Sequence, residues 1–411
     1  MTKDTVNSRT RIPAPKYSAD LDAVLELVRA RAVGRELEQS RFLDEIELLR
    51  NAGFGTLTLP RELGGSAASI VELTERLIEL SEADSNLAQV FRAHFATVES
   101  LLTIAPRDQS DRWLARIAAG EFFGGATQER SSASVGSLNT RLEQSGDGYL
   151  LNGTKHYSTG SIYADWIAVT AALPDDSFAT AYVRTDAPGV VLNDDWDGFG
   201  QRLSGSGTTI FADVAVPADH VAEFHGAKPS HLNAFVQLIL LACLAGIART
   251  IVSEAGTYLN ERTRTFSHGS AGAARLDPLV QSVVGRLAAN SFAADAVTLR
   301  LAAAVEEAHR AAAAGAPDAE LINRAEREAS LAQIVVTELV LSSANSLFDV
   351  GGASALSRTR SFDRLWRNAR TLASHNPVIY KLRACGEDAL SGTGLIFDWT
   401  TGESAVTTPR I

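Results

Sequence analysis

The strongest constraint on this chain is a change of hydrophobic period that occurs twice. From about residue 18 to 118, apolar side chains recur at three- and four-residue spacing. From about Glu121 to Phe224 they alternate or cluster in short β-branched runs, and from about His231 to Gly392 the helical spacing returns. A helical pattern drawn out as a strand scatters its apolar residues over both faces and buries neither. The chain is therefore expected to be an α+β multidomain protein. An N-terminal helical domain (1–120) leads to a central β domain (121–226), a barrel or sandwich, then a C-terminal four-helix bundle (227–392) and a tail (393–411) without clear periodicity.

Within this frame, "SADLDAVLELVRARAVGRELEQSRFLDEIELLRNAG" reads as helical from a capped start to Gly53, and "FGTLTLPRELGG" is a turn-rich connector. "SIVELTERLIELSEADSNLAQVFRAHFATVESLL" resumes the helix, and "RDQSDRWLARIAAG" adds a short one. The middle segment offers five strand runs: "GYLLNGTKHYSTG", "DWIAVTAAL", "FATAYVRT", "GVVLNDDW" and "GTTIFADVAV". Four helical pieces follow, at roughly 231–264, 277–314, 318–347 and 361–390, the second about 60 Å long at the usual rise per residue. The last carries "RTLASHNPV", where Pro377 discourages a helical Asn376 and leaves His375 at a stop in the pattern.

Composition excludes several classes of function. Hydrophobic residues are 45% and charged residues 21%, as in an ordinary globular protein. A net charge of -11 argues against nucleic acid, which a basic surface would track, and against an anionic membrane. Cys243 and Cys385 are too few for a disulfide framework or a thiolate metal site. Leu238–Ala248 is the one candidate membrane segment, well short of the roughly 20 residues a spanning helix needs. The N-terminus shows no export signal, so a cytoplasmic location is expected. No dinucleotide fingerprint, P-loop, HExxH or nucleophile elbow occurs, and "GSGT" at Gly205–Thr208 reads as a hairpin turn. The eight histidines show no helical ligand spacing, so no metal site is expected.

Several stretches go further. "LPRELGG" (59–65), "LNGTKHYSTG" (151–160), "VPADHV" (216–221) and "FDVGGASAL" (348–356) together resemble the acyl-CoA dehydrogenase superfamily, which has the same helix–sheet–helix order. "GTKHYSTG", "NDDW" (193–196), "FDRLWRNART" (362–371) and "HNPVIYK" (375–381) are most similar to its flavin-dependent monooxygenase branch, typified by dibenzothiophene monooxygenase. That resemblance implies a homotetramer that takes reduced FMN from a separate NAD(P)H:flavin reductase and reacts it with O2. A C4a-hydroperoxyflavin would then oxygenate a small aromatic or heterocyclic substrate at sulfur or nitrogen.

The same resemblance assigns residues. The superfamily's dehydrogenases carry a glutamate base where this chain reads "ASHNPV", and no acidic residue lies between Arg370 and Lys381. His375 would instead be a proton donor or peroxide partner, since an imidazole titrates near neutrality. Ser158 and Thr159 would meet the flavin edge, with Tyr157 packed on the ring and Thr127 or Gln128 framing it. Arg264 would hold the flavin phosphate of a neighbouring subunit, beside the glycine turn at Gly351 and Gly352. His94, Gln89 and Asn376 would line the substrate pocket, which Gln89, Ala93 and Leu372 make less polar than in the related sulfur oxidisers. Two rival readings are an acyl-CoA dehydrogenase that binds FAD and draws its base from elsewhere in the bundle, and a flavin-free ligand-binding scaffold.

Overall fold

A computed structural model describes residues 21–130, 137–223, 230–392 and 394–395. The first segment forms α1 (Leu21–Glu38), α2 (Leu43–Asn51), α3 (Ile70–Ala83), α4 (Ser85–Thr103) and α5 (Arg107–Ala118). The stretch expected to be continuous through residue 52 breaks at Gln39, which takes φ 56°. A second break falls at Asp84, whose extended backbone separates α3 from α4. Its carboxylate accepts the Asn86 N–H at 3.0 Å and faces Arg35 at 3.4 Å, so one acid caps a helix and anchors a buried cation. Ser69 and Glu72 close a reciprocal capping box at the start of α3.

The middle segment forms β1 (Phe123–Ala126), β2 (Arg141–Ser145), β3 (Gly148–Lys155), β4 (Trp166–Ala172), β5 (Phe178–Arg184), β6 (Val190–Leu192), β7 (Thr209–Pro217) and β8 (Val221–Glu223). They join one sheet in the order β6-β7-β3-β2-β4-β5-β8, with β1 added parallel to β4. β5 also lies against β7, although three strands separate them along the sheet, so the sheet wraps as a barrel does. Alternate side chains, among them Leu142, Leu151, Ile167, Val169, Val183, Phe211 and Val214, fill its interior. β1, β2 and β8 were not among the expected runs. β1 is Phe-Gly-Gly-Ala and β2 is largely polar, so neither shows a β-branched signature.

The last segment forms α6 (Leu232–Glu261), α7 (Pro278–Ala313), α8 (Ala319–Ser346), α9 (Asp363–Ala373) and α10 (Val378–Ser391). The piece expected at 361–390 is thus two helices, divided at Ser374–Pro377. Pro377 takes ψ 117° and hands over to α10, which buries no side chain of its own. The membrane expectation also needs correction: α6 and the stretch Ala319–Val350 are both long and apolar enough to cross a membrane. α6, however, packs against α3, α4, α7 and α8 as the central core helix. Phe54, Leu77 and Phe91 of the first segment share one core with Leu241, Ile247, Val305 and Val336, so the two helical segments form a single body. Trp113, Phe123, Trp166 and Tyr182 weld α5 to the sheet. Of the tail expected at 393–411, only 394–395 are among the described residues.

Candidate active site

Two features converge on α4. The first is the turn after β3. His156 donates its N–H to Gln128 O at 2.8 Å, Ser158 to Gly207 O at 3.0 Å and Gly160 to Ser204 O at 3.0 Å, while Gly125 donates to Thr159 O at 3.3 Å. The turn is pinned between the end of β1 and residues 204–208. Gly160 takes φ 77°, and a Cβ there would lie 2.8 Å from the carbonyl oxygen of Val90, so only glycine lets the turn press on α4. Thr159 Oγ1 bonds Ser206 Oγ at 2.8 Å, and Ser206 Oγ bonds Ser204 Oγ at 2.8 Å. Ser158 Oγ is buried with no partner, which is unusual for a polar atom. On the outer side, a cleft of about 180 Å³ is lined by Arg130, His156, Tyr157, Asp195, Trp196 and Ser206–Thr208. Tyr157 is 43% exposed, with Trp196 edge-on at 5.6 Å and the Arg130 guanidinium 5.2 Å from its ring.

The second feature is the break between α9 and α10. His375 donates its N–H to Leu372 O at 3.1 Å. Asn376 Nδ2 donates to Gln237 Oε1 of α6 at 2.7 Å, and Gln333 Nε2 of α8 donates to Asn376 O at 2.8 Å. Two helices of the bundle thus clamp the residue after His375. His375 is exposed at the surface of the protomer, with its ring crowded on the other side by protein atoms. Burial pushes its pKa down to about 3, with the positive charge of Arg92 on α4 adding to the effect. His375 is therefore a neutral imidazole across the physiological range. This corrects the expectation of titration near neutrality: the ring offers an N–H or a lone pair, not an imidazolium.

Arg92 is the residue the sequence reading passed over. It shares a face of α4 with Gln89, three residues before it. Its Nε is buried without a partner, as is Gln89 Oε1. Gln333 Oε1 is likewise unpartnered beside the Asn376 clamp. The only available signal was an arginine inside the apolar run "QVFRAHF".

The remaining expected residues lie elsewhere. His94 is 1% exposed; its Nε2 pairs with Gly55 O at 2.8 Å, and its Nδ1 accepts the Phe123 N–H at 3.2 Å. It stacks on Phe122, and burial lowers its pKa to about 4. Neither nitrogen is left for a ligand. Thr127 is exposed; its carbonyl accepts Lys155 Nζ at 3.1 Å and its hydroxyl accepts that of Thr170 at 3.2 Å. Gln128 pairs through its backbone with His156. Arg264 is exposed in the loop after α6. There Arg262 Nη1 donates to Gly351 O at 2.8 Å, and Gly352, at φ 56°, packs against Phe266. Arg264, Gly351 and Gly352 therefore share one corner of the bundle, and no described contact joins that corner to Ser158 or Thr159.

Spacing gave no hint of a further cluster. Glu99 of α4, His231 before α6 and His309 of α7 bring their ligand-type atoms within 4.8 Å. Glu99 Oε1 accepts from His309 Nδ1 at 2.7 Å and from His231 Nε2 at 2.5 Å, the second shorter than an ordinary N–H···O hydrogen bond. Burial alone would raise the Glu99 pKa, but the two histidines outweigh it and hold the carboxylate below its usual value.

The Ser158 hydroxyl, orphaned among the described residues, and the Thr159–Ser206 pair beside the cleft at Tyr157 suit a planar heterocycle with polar edges, as a flavin is. Three family descriptions match in series: acyl-CoA dehydrogenase N-terminal domain over residues 22–121, middle domain over 124–214 and C-terminal domain over 238–379. A dibenzothiophene monooxygenase of Rhodococcus erythropolis is 30% identical over 404 residues, covering 92% of this chain and 95% of that one. A probable FMNH2-dependent monooxygenase, SfnC of Pseudomonas putida, is 28% identical over 84% of this chain and 88% of its own length. The FMN-bound crystal structure of TdsC from Paenibacillus sp. A11-2 superposes with a TM-score of 0.84 at 30% identity, covering 91% of this chain and 98% of the other.

Proposed function

The chain belongs to the acyl-CoA dehydrogenase family and is a flavin-dependent monooxygenase within it; we propose that it works on a small aromatic or heterocyclic substrate, oxygenated at sulfur or nitrogen. The observation that carries this reading is the setting of His375 itself. Among the described residues no carboxylate pairs with Arg92 or with the His375 ring, so no acid stands there as a dehydrogenase base must. Acids of the bundle interior are engaged elsewhere: Glu254 with Arg364, Glu326 with the Ala234 N–H at 2.8 Å, and Asp295 with Arg249 at 2.8 Å.

Reduced FMN, when bound, supplies the activation of O2 and the transferable oxygen atom. It is delivered by a separate NAD(P)H:flavin reductase. Ser158 and Thr159 hold the polar edge of the ring, with Ser206 fixing the Thr159 hydroxyl. Tyr157 and Trp196 flank the outer cleft. Thr127 and Gln128 frame the ring through the β1 backbone. The neutral His375 donates one N–H hydrogen bond at the reacting oxygen and keeps water and stray protons from it. Asn376, held by Gln237 and Gln333, sets the direction of that ring. Gln89 lines the substrate side, whereas His94 braces α4 against β1 behind it. Arg264, Gly351 and Gly352 complete the cofactor site of a neighbouring subunit in a homotetramer, which explains why that corner stands apart in one protomer. The enzyme works in the cytoplasm, where reduced flavin is supplied.

Anaerobic titration with reduced FMN, followed by rapid mixing with O2, tests the reading. A long-lived oxygen-activated flavin absorbance is expected. Bleaching of bound FAD by an acyl-CoA without O2 would sink it.

A further inference from the structure

We propose that Arg92 binds an anionic substituent of the substrate, so that the natural substrates are aromatic or heterocyclic acids carrying a carboxylate, sulfinate or sulfonate. This rests on the monooxygenase reading and deepens it by naming a substrate class. Arg92 sits mid-helix on α4, one turn after Gln89. Ala93 meets Gly125 of β1, where a Cβ would lie 3.1 Å away, and Val90 meets Gly160 of the cofactor turn. Arg92, one residue before Ala93 and two after Val90, lies on another side of α4, towards the bundle, where its charge reaches Cys243 of α6 and His375.

Among the described residues, Arg92 has no ion pair and no side-chain hydrogen bond, and its Nε is buried without a partner. Arg92 is part-buried, whereas the fully buried arginines Arg35 and Arg364 are compensated: Arg35 pairs with Glu45 and Asp84, and Arg364 with Glu254. Its neighbours give no negative charge. Cys243 is a thiol whose burial pushes its pKa up to about 12, and His375 is neutral. Burial lowers the Arg92 pKa to about 10, which still leaves it charged at neutral pH. A part-buried guanidinium kept without a counter-ion is costly to the fold unless a ligand completes it. Its planar fork matches a carboxylate or sulfur oxyanion in bidentate fashion. Gln89, one turn before Arg92 on α4, and Gln333, which holds Asn376, each keep a carbonyl oxygen without a partner among the described residues and add no charge of their own.

The test is calorimetric binding of benzoate and of its neutral isostere benzamide to the full-length protein saturated with oxidised FMN. Wild type, Arg92→Gln and Arg92→Lys are compared. Wild type should prefer benzoate by about tenfold to a hundredfold, the range of a charge-assisted hydrogen bond. Arg92→Gln should erase that preference with FMN affinity unchanged, and Arg92→Lys should keep part of it. Equal binding of the two probes by wild type, no benzoate binding, or a preference that survives in Arg92→Gln would each overturn the proposal. Should Arg92→Gln fail to fold, the wild-type comparison and Arg92→Lys still decide. No reduced flavin or O2 enters the measurement, so its failure is distinct from failure of the oxygen-activation reading.

Discussion

His375 owes its chemistry to its surroundings more than to its residue type. With a pKa pushed down to about 3, it stays neutral over the whole working range. The pH–rate profile should therefore show no inflection near 6.5 that disappears in His375→Ala, while that substitution lowers turnover by about 10² to 10³-fold, the span of one lost hydrogen-bond donor at a reacting oxygen. Stopped-flow oxidation of the reduced flavin should become faster in the same variant. Asn376→Asp would place a carboxylate against the ring and raise the His375 pKa, which histidine NMR titration would read directly. Stability should follow the same signs. His375 and His94, both lowered in the fold, refuse protons that the unfolded chain accepts below its ordinary value of about 6.5, so the melting temperature should fall as pH drops through that value. His309 acts in the opposite sense. Burial would lower its pKa, but Glu99 outweighs this and raises it, so its contribution is present at lower pH and lost as pH rises through the raised value. Glu306 and Arg310 also face it, with opposite signs. His309→Gln should remove that alkaline loss, as thermal melts across pH would show.

At the scale of elements, the active site depends on two interruptions. The turn at 157–160 reaches α4 only because residue 160 lacks a Cβ. Gly160→Ala should cost about 1–3 kcal/mol through its left-handed backbone and its clash with Val90, and should weaken FMN binding as the turn lifts. Denaturant unfolding and flavin titration check the two effects separately. The stop at Ser374–Pro377 ends α9 and sets Asn376 against α6 and α8 with His375 just before it, while α10 only covers α8 from outside. A single unbroken helix would have left His375 on a continuous helical surface, with Asn376 out of reach of Gln237. The same logic holds at Asp84, where one extended residue starts α4 and so sets the rotation of Gln89 and Arg92 about the helix axis.

The whole molecule exposes apolar side chains that a lone protomer leaves in water. Leu279 and Phe292 of α7 are each 76% exposed, and Phe266 beside Gly352 is 53% exposed. A bundle face of this kind suits association of copies. If the proposed tetramer uses this face, Phe292→Asp should shift light scattering after gel filtration towards the 43.8 kDa protomer. FMN affinity should fall with it if Arg264 serves the neighbouring site. Under the proposed arrangement, Arg264→Ala should weaken FMN binding while leaving the mass seen by light scattering unchanged.

The order of helical, β and helical segments was legible in the chain, because period alone decides which faces can be buried together. So was the stop at His375–Pro377, since proline restricts the residue before it; the turn at Ser158–Thr159 was not, because "GYLLNGTKHYSTG" read as one strand that in fact ends at Lys155. The resemblance carried by "GTKHYSTG" and "HNPVIYK" pointed to flavin chemistry. Other properties arise only where distant segments meet. The neutrality of His375 comes from the density of the bundle and the charge of Arg92. The inward role of His94 comes from carbonyl and N–H groups of Gly55 and Phe123, both far from it in sequence. Arg92 looks in the sequence like any arginine on a helix. Burial without a counter-ion, which gives it a function, is a property of the assembled interior, where desolvation makes every unpaired charge count.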